Sequence, residues 1–126
     1  MKKPKKQILI VDDEPAWIKV LSLFLRKQGY KVMEATNARD ALHALSGFTP
    51  DLILSDVRMP DMNGFDFLDQ VRRTTKNART PVVFLSAVDD YDAKKVARDL
   101  GAADYLVKPF DESDVLNILS RHLNAS

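Results

Sequence analysis

Short apolar runs alternate along the chain with amphipathic stretches of helical length. Ile8-Leu9-Ile10-Val11, Leu52-Ile53-Leu54 and Val82-Val83-Phe84-Leu85 are continuously apolar and too short for buried helices, so they read as strands covered on both faces. Lys31-Val32-Met33-Glu34-Ala35 alternates and carries charge, which suits an edge strand; Tyr105-Leu106-Val107, ending at Lys108, suits the other edge. The spacing predicts strands at about 7–11, 31–35, 51–55, 81–85 and 104–107, and helices over 15–28, 38–47, 64–74, 90–99 and 112–123. Pro15 is placed for a first helical turn, where its missing N–H costs nothing. Trp17, Leu21, Phe24 and Leu25 share one helical face and read as core; Phe65, Leu68 and Val71, then Val96 and Leu100, give later helices theirs. Gly29 and Gly101 fall where a helix C-cap needs a left-handed residue. Asn37 and Asp111 are N-cap candidates, and Asp13 is a candidate cap for the first helix.

Five β-α alternations argue for a parallel sheet with helices on both faces. With the charged strand at one edge and the short last strand at the other, the strand order becomes 2-1-3-4-5, the flavodoxin-like doubly wound α/β fold.

A chain of 126 residues is one domain, able to bury roughly two-thirds of its unfolded surface. We expect a single domain over 1–126, with a basic N-terminal extension over 1–6 and a short C-terminal tail over 124–126. Cysteine is absent, so thiolate metal sites and disulfides are excluded. No apolar run approaches the ~20 residues of a membrane span, and Met1-Lys2-Lys3-Pro4-Lys5-Lys6 lacks the apolar stretch of a signal peptide. A cytoplasmic location with no membrane contact is the expectation. The formal net charge of +1 balances 19 basic against 18 acidic residues, which gives no electrostatic case for direct nucleic-acid binding.

The chemistry gathers where strands end. Asp12 and Asp13, Asp56, Ser86 and Lys108 each close or follow an apolar run. In a parallel sheet those ends share one edge, the edge where ligands bind. Strands 1 and 3 are neighbours in the expected order, so Asp12, Asp13 and Asp56 converge. Clustered carboxylates raise one another's pKa unless a cation offsets them. Mg²⁺ suits an all-oxygen set, and the lack of His or Cys disfavours zinc. His43 and His122 read as surface or boundary residues without metal partners. Asp56 has the features of a nucleophile toward phosphorus, with Mg²⁺ and Lys108 to neutralise phosphoryl oxygens and Ser86 to donate to one of them.

Taken in order, Val11-Asp12-Asp13-Glu14-Pro15, Asp51 through Pro60, Asn63-Gly64, Ser86-Ala87 and Gly101 through Phe110 resemble a response-regulator receiver domain of two-component signalling, of the chemotaxis-regulator kind. The resemblance implies a phosphorylation-dependent signalling switch rather than an enzyme. Asp56 corresponds to the phosphoacceptor, served by a sensor histidine kinase or a histidine phosphotransfer protein. Asp13 and Asp56, with the backbone carbonyl of Arg58, correspond to the Mg²⁺ ligands, and Asp12 acts mainly through water. Lys108 matches the lysine that contacts the phosphoryl group, Ser86 the switch hydroxyl, and Tyr105 the aromatic that rotates inward. Pro109 stands where the family has a cis peptide. The surface altered by phosphorylation is expected over Lys94, Lys95, Arg98, Tyr105, Glu112 and Asp114. The output, a downstream protein or a fused effector domain, is not implied, and phosphorylation-driven homodimerisation stays open. Little sequence follows the last helix, which fits a stand-alone receiver or one domain of a longer regulator equally.

Two positions depart from common usage in the family. Arg58 stands two residues after the acceptor and Val88 two after the switch hydroxyl. Arg58 is expected to tune phosphoryl lifetime, by contacting the phosphate or by pairing with an acid such as Asp89. A hydrolase working through an aspartyl phosphate would need a second acid at position 58, which arginine cannot supply. A pseudo-receiver would have lost one of the five groups, and all are present. A flavin carrier would need a phosphate-binding loop where Asp12-Asp13-Glu14 stands.

Overall fold

The computed structural model describes residues 5–74, 76–87 and 91–123. Strands β1 (Gln7–Val11), β2 (Lys31–Ala35), β3 (Leu52–Asp56), β4 (Val82–Ala87) and β5 (Asp104–Lys108) alternate with helices α1 (Pro15–Lys27), α2 (Ala38–Leu45), α3 (Gly64–Arg73), α4 (Tyr91–Asp99) and α5 (Glu112–Leu123). All strand pairs are parallel, in the order β2-β1-β3-β4-β5. The expected topology holds, and element ends move by one or two residues.

The pleat divides the core in two. Ile8, Ile10, Leu52, Leu54, Val83, Leu85 and Leu106 face α1 and α5, where Ile18, Leu21, Phe24 and Leu25 meet Val115, Ile118, Leu119 and Leu123. Leu9, Val11, Ile53, Val82 and Phe84 face the other way, onto Ala38, Ala41 and Leu45 of α2, Phe67, Leu68 and Val71 of α3, and Ala93 and Ala97 of α4. Alternate residues of one strand point to opposite sides, so continuous apolar runs are what a two-sided core demands. Each buried large aliphatic or aromatic chain contributes about 1.5–3 kcal/mol.

Local punctuation follows the sequence with two exceptions. Asn37 Oδ1 accepts from Asp40 N at 2.8 Å, and Asp111 Oδ1 from Asp114 N at 3.0 Å, as N-caps do. Gly29 and Gly101 close α1 and α4 with φ of 97° and 85°. Asp13 does not cap α1: the cap position is Glu14, which makes no side-chain cap bond, while Asp12 Oδ1 accepts from the Glu14 amide at 2.9 Å. Val96 and Leu100 do not form the buried face of α4; they are 39% and 49% exposed, and the helix seats on Ala93 and Ala97 instead. Small residues let α4 lie close to the sheet, which leaves the larger chains outside. Among the described residues no helix is long and apolar enough to cross a membrane.

Candidate functional site

At the carboxyl edge of the sheet the register sets the distances. Val11 pairs with Ser55, so the residues that follow, Asp12 and Asp56, leave adjacent strands side by side. Asp56 pairs with Leu85 across to β4, and Ser86 and Ala87 pair with Val107 and Lys108 across to β5. Asp12, Asp56 and Ser86 are buried, while Asp13, Glu14 and Arg58 are exposed and Lys108 lies between.

Lys108 occupies the centre. Its ammonium donates to Asp12 Oδ2 at 2.8 Å and to Asp56 Oδ2 at 3.2 Å, and lies 3.8 Å from Glu14 Oε1. Asp56 Oδ1 also accepts from the Arg58 amide at 3.2 Å. Burial raises the Asp56 pKa; Lys108 pulls it down, Asp12 pushes it up, and the net is above the ordinary value. Burial also works against the Lys108 charge, but its hydrogen bonds and charge attraction to Asp12 and Asp56 outweigh this and hold its pKa above the ordinary value. The Lys108–Pro109 peptide is cis.

One carboxylate oxygen from each of Asp12, Asp13, Glu14 and Asp56 falls within a span of 4.8 Å. A hard, all-oxygen set of this kind suits Mg²⁺. Sequence reasoning placed three of these acids and passed over Glu14, although it directly follows the acidic pair.

The loop after Asp56 is held from both sides. The Gly64 amide donates to the Val57 carbonyl at 2.6 Å, and a Cβ on Gly64 would stand 2.5 Å from the Asp56 carbonyl oxygen and 2.9 Å from Phe84 Cε1. Asn63 caps α3 through the Asp66 amide at 2.9 Å. Asp61 reaches across to α2 and accepts from the amides of Ala38 and Arg39 at 3.1 and 2.8 Å.

An aromatic pair flanks the lysine. The Trp17 and Phe110 rings have centroids 4.8 Å apart, and Lys108 Nζ lies over the Trp17 ring, 5.2 Å from its centroid. The helical period had assigned Trp17 to the core.

Tyr105 is half-buried and packs on the α4 side of the sheet, beside a cavity of about 190 Å³ lined by Lys94, Ala97, Arg98 and Ala102–Tyr105. Lys94, Lys95, Arg98, Glu112 and Asp114 are exposed. His122 is half-buried, with Nε2 2.9 Å from Asp104 Oδ2. Val88, Asp89, residues 1–4 and residues 124–126 lie outside the described residues, and with them the expected Arg58–Asp89 pair and the two terminal segments.

A family model described as the response regulator receiver domain matches residues 8–120. Regulatory protein AtoC of Escherichia coli K12 is 38% identical over 93% of this chain, which spans 25% of that protein's length. Chemotaxis response regulator CheY4 of Vibrio cholerae superposes with a TM-score of 0.89 at 34% identity, over 95% of this chain and all of its own. The receiver domain of sensor histidine kinase PA1611 of Pseudomonas aeruginosa, described with a magnesium ion coordinated in its active site cleft, gives 0.88 at 28% identity, over 97% of this chain and 100% of its own.

Proposed function

The chain belongs to the response regulator receiver domain family, and on that premise we propose that Asp56 accepts a phosphoryl group from a phosphohistidine and holds it as an acyl phosphate. The observation that carries this reading is the Lys108 ammonium donating to both Asp12 and Asp56 beside a four-carboxylate cluster. An Asp56 oxygen attacks phosphorus as the bond from phosphorus to the donor imidazole nitrogen breaks, and the imidazole leaves. Lys108 already bonds Asp56 Oδ2 and needs to follow the phosphoryl oxygens by only a short distance. The Arg58 amide fixes the other Asp56 oxygen, so the nucleophile is aimed before the donor arrives.

Asp13, Asp56 and the Arg58 carbonyl are the groups that would hold Mg²⁺, with Asp12 behind them and Glu14 at the rim. Bound there, the cation neutralises charge on the transferring group. The magnesium named for the PA1611 receiver domain supports this ion.

Ser86, buried on β4 one strand from Asp56, is the hydroxyl that senses the new oxygens, and Tyr105 is the aromatic that answers. A phosphoryl group brings charge and strong acceptors that only one loop arrangement satisfies, so the population shifts. The cavity beside Tyr105 leaves space for its ring to change place. The surface carrying the change is Lys94, Lys95, Arg98, Tyr105, Glu112 and Asp114, read here as a switch surface of one receiver domain over 1–126 and not as part of an enzyme. The donor partner is a sensor histidine kinase or a histidine phosphotransfer protein. Exposed Val20 and Leu23 on α1, which line one groove with Phe110 and Val115, offer such a partner an apolar seat. The cytoplasm, where such donors work, is the proposed location.

The test is incubation with Mg²⁺ and acetyl phosphate or phosphoramidate, followed by mass measurement. An acid-stable, base-labile phosphoryl adduct, lost in Asp56→Asn, is expected. No adduct in the native protein overturns the reading, and rapid multiple turnover of varied phosphate esters indicates a hydrolase.

A further inference from the structure

The indole of Trp17 meets Lys108 in a way that core packing does not explain. Four residues of α1, Ile18, Leu21, Phe24 and Leu25, enter the cluster between this helix and the sheet; Trp17 stands outside that cluster among the described residues. Its ring instead has two neighbours at the site. Phe110 stacks on it at 4.8 Å with an interplanar angle of 35°, and the Lys108 ammonium lies over it at 5.2 Å.

We propose that Trp17 is a positioning residue for Lys108, a π-face that bounds the ammonium on the α1 side and holds it in line with Asp56. The inference rests on the phosphoryl-acceptor reading of the site.

The lysine needs such a boundary. Its ammonium is shared among Asp12 at 2.8 Å, Asp56 at 3.2 Å and Glu14 at 3.8 Å, so the pull of Asp56 competes with that of two other acids. A long side chain among three acids has several poses, and only those near Asp56 serve a phosphoryl group there. A further carboxylate would add to the repulsion already present and compete with the phosphoryl oxygens. An indole face attracts a cation within about 6 Å through its quadrupole. It carries no charge and demands no hydrogen bond, so it limits the lysine without drawing it away. Phe110, two residues past Lys108, packs against the indole and ties α1 to the β5–α5 connection.

The chain has one tryptophan, so biosynthetic replacement by fluorotryptophans alters this ring alone. Each fluorine weakens the negative π-face while nearly preserving shape. Two readouts are taken on the full chain: the single-turnover rate of Asp56 phosphorylation, and the urea unfolding free energy without divalent cations. Across mono-, di- and trifluorotryptophan the rate is expected to fall stepwise, by about fivefold in all, with Trp17→Phe between the native protein and Trp17→Leu. Stability is expected to fall with each fluorine in the native chain and to be insensitive to fluorine in a Lys108→Met background, as a double-mutant cycle requires. A flat rate series, or the same stability trend in both backgrounds, overturns the positioning role. Failure of the native protein to form any Asp56 adduct overturns the acceptor reading instead; the stability cycle still reports on the ring and the lysine.

Discussion

The Lys108 ammonium lies 2.8 Å from an oxygen of Asp12, a residue 96 positions earlier in the chain and fully buried. The same nitrogen bonds Asp56, so one cation offsets two carboxylates that the fold has removed from water. Taking that cation away leaves both acids uncompensated. Lys108→Met is expected to lose about 2–4 kcal/mol of stability in metal-free buffer. Urea unfolding checks this, and millimolar Mg²⁺ should restore part of the loss. Adding Asp12→Asn to Lys108→Met should cost less than the sum of the two single changes, because the second removes a charge the first has stranded.

Gly64 is required for room and not for backbone freedom. A Cβ there would stand 2.5 Å from the Asp56 carbonyl oxygen, 2.9 Å from Phe84 Cε1 and 3.0 Å from Val57 Cα. Two of these are backbone atoms, and the Phe84 ring is fully buried and packed edge-on to Phe65 at 5.3 Å. None can yield cheaply. Gly64→Ala is therefore expected to destabilise by about 1–3 kcal/mol and to move the Asp56 backbone. Thermal unfolding measures the first effect and the acetyl phosphate reaction the second. Native stability with a native rate would contradict the geometry.

The fold was readable because the pattern and the topology agree. Three uninterrupted apolar strands can only be central, the charged Lys31–Ala35 strand can only be an edge, and the 2-1-3-4-5 order follows. The gathering of Asp12, Asp56, Ser86 and Lys108 was readable for the same reason, since strand ends in a parallel sheet converge whatever their distance in sequence. What escaped depended on side-chain direction and size. Trp17 has the helical phase of a core residue, but at the first turn of α1 it lies level with the ends of the strands, where Lys108 and Phe110 arrive. Val96 on α4 and Leu100 just past its end carry the more apolar side chains, yet Ala93 and Ala97 seat the helix, because a close approach favours small residues over hydrophobic ones. Asp13 has the right type for a cap, but Asp12 takes the Glu14 amide. Glu14 joins the acids only through the turn that follows β1, which no periodicity encodes.

Asp104 anchors the far end of α5. Its Oδ2 accepts from Arg121 at 2.6 Å and lies 2.9 Å from His122 Nε2, and its Oδ1 accepts from the Tyr105 amide at 2.9 Å. Burial raises its pKa, but the bonds from His122 and the Tyr105 amide and the Arg121 charge outweigh this and hold it below the ordinary value of 3.8. A carboxyl whose folded-state pKa is depressed stabilises the protein above its unfolded pKa, and the gain is lost as pH falls through the folded value. Asp104→Asn should therefore lower stability near neutrality by about 1 kcal/mol, since Arg121 is largely exposed and its pairing is screened. Below about pH 4 the variant and native unfolding curves should converge. A constant gap down to the acid limit would mean that the carboxylate charge contributes nothing.

The acid cluster predicts how the protein responds to Mg²⁺. The net pKa of Asp56 is raised, with burial first and the Asp12 charge also opposing Lys108, so its ionised form is less favoured in the native state than in the unfolded chain. That penalty appears as pH rises through the unfolded pKa and is complete above the raised folded one. Asp56→Asn should then melt at or above the native temperature in metal-free buffer. On the proposed reading Mg²⁺ is held by the native cluster and not by the unfolded chain, so it should raise the native melting temperature in proportion to the logarithm of its concentration above the dissociation constant. Asp13→Asn removes an exposed acid from the cluster without touching the Lys108 contacts. It should leave the metal-free melting temperature nearly unchanged, weaken the Mg²⁺ response and slow Mg²⁺-dependent phosphorylation by at least tenfold. Differential scanning calorimetry across a Mg²⁺ titration, run on the native chain and both variants, reads each of these outcomes on stability. An unchanged native melting curve at millimolar Mg²⁺ would remove the cation site.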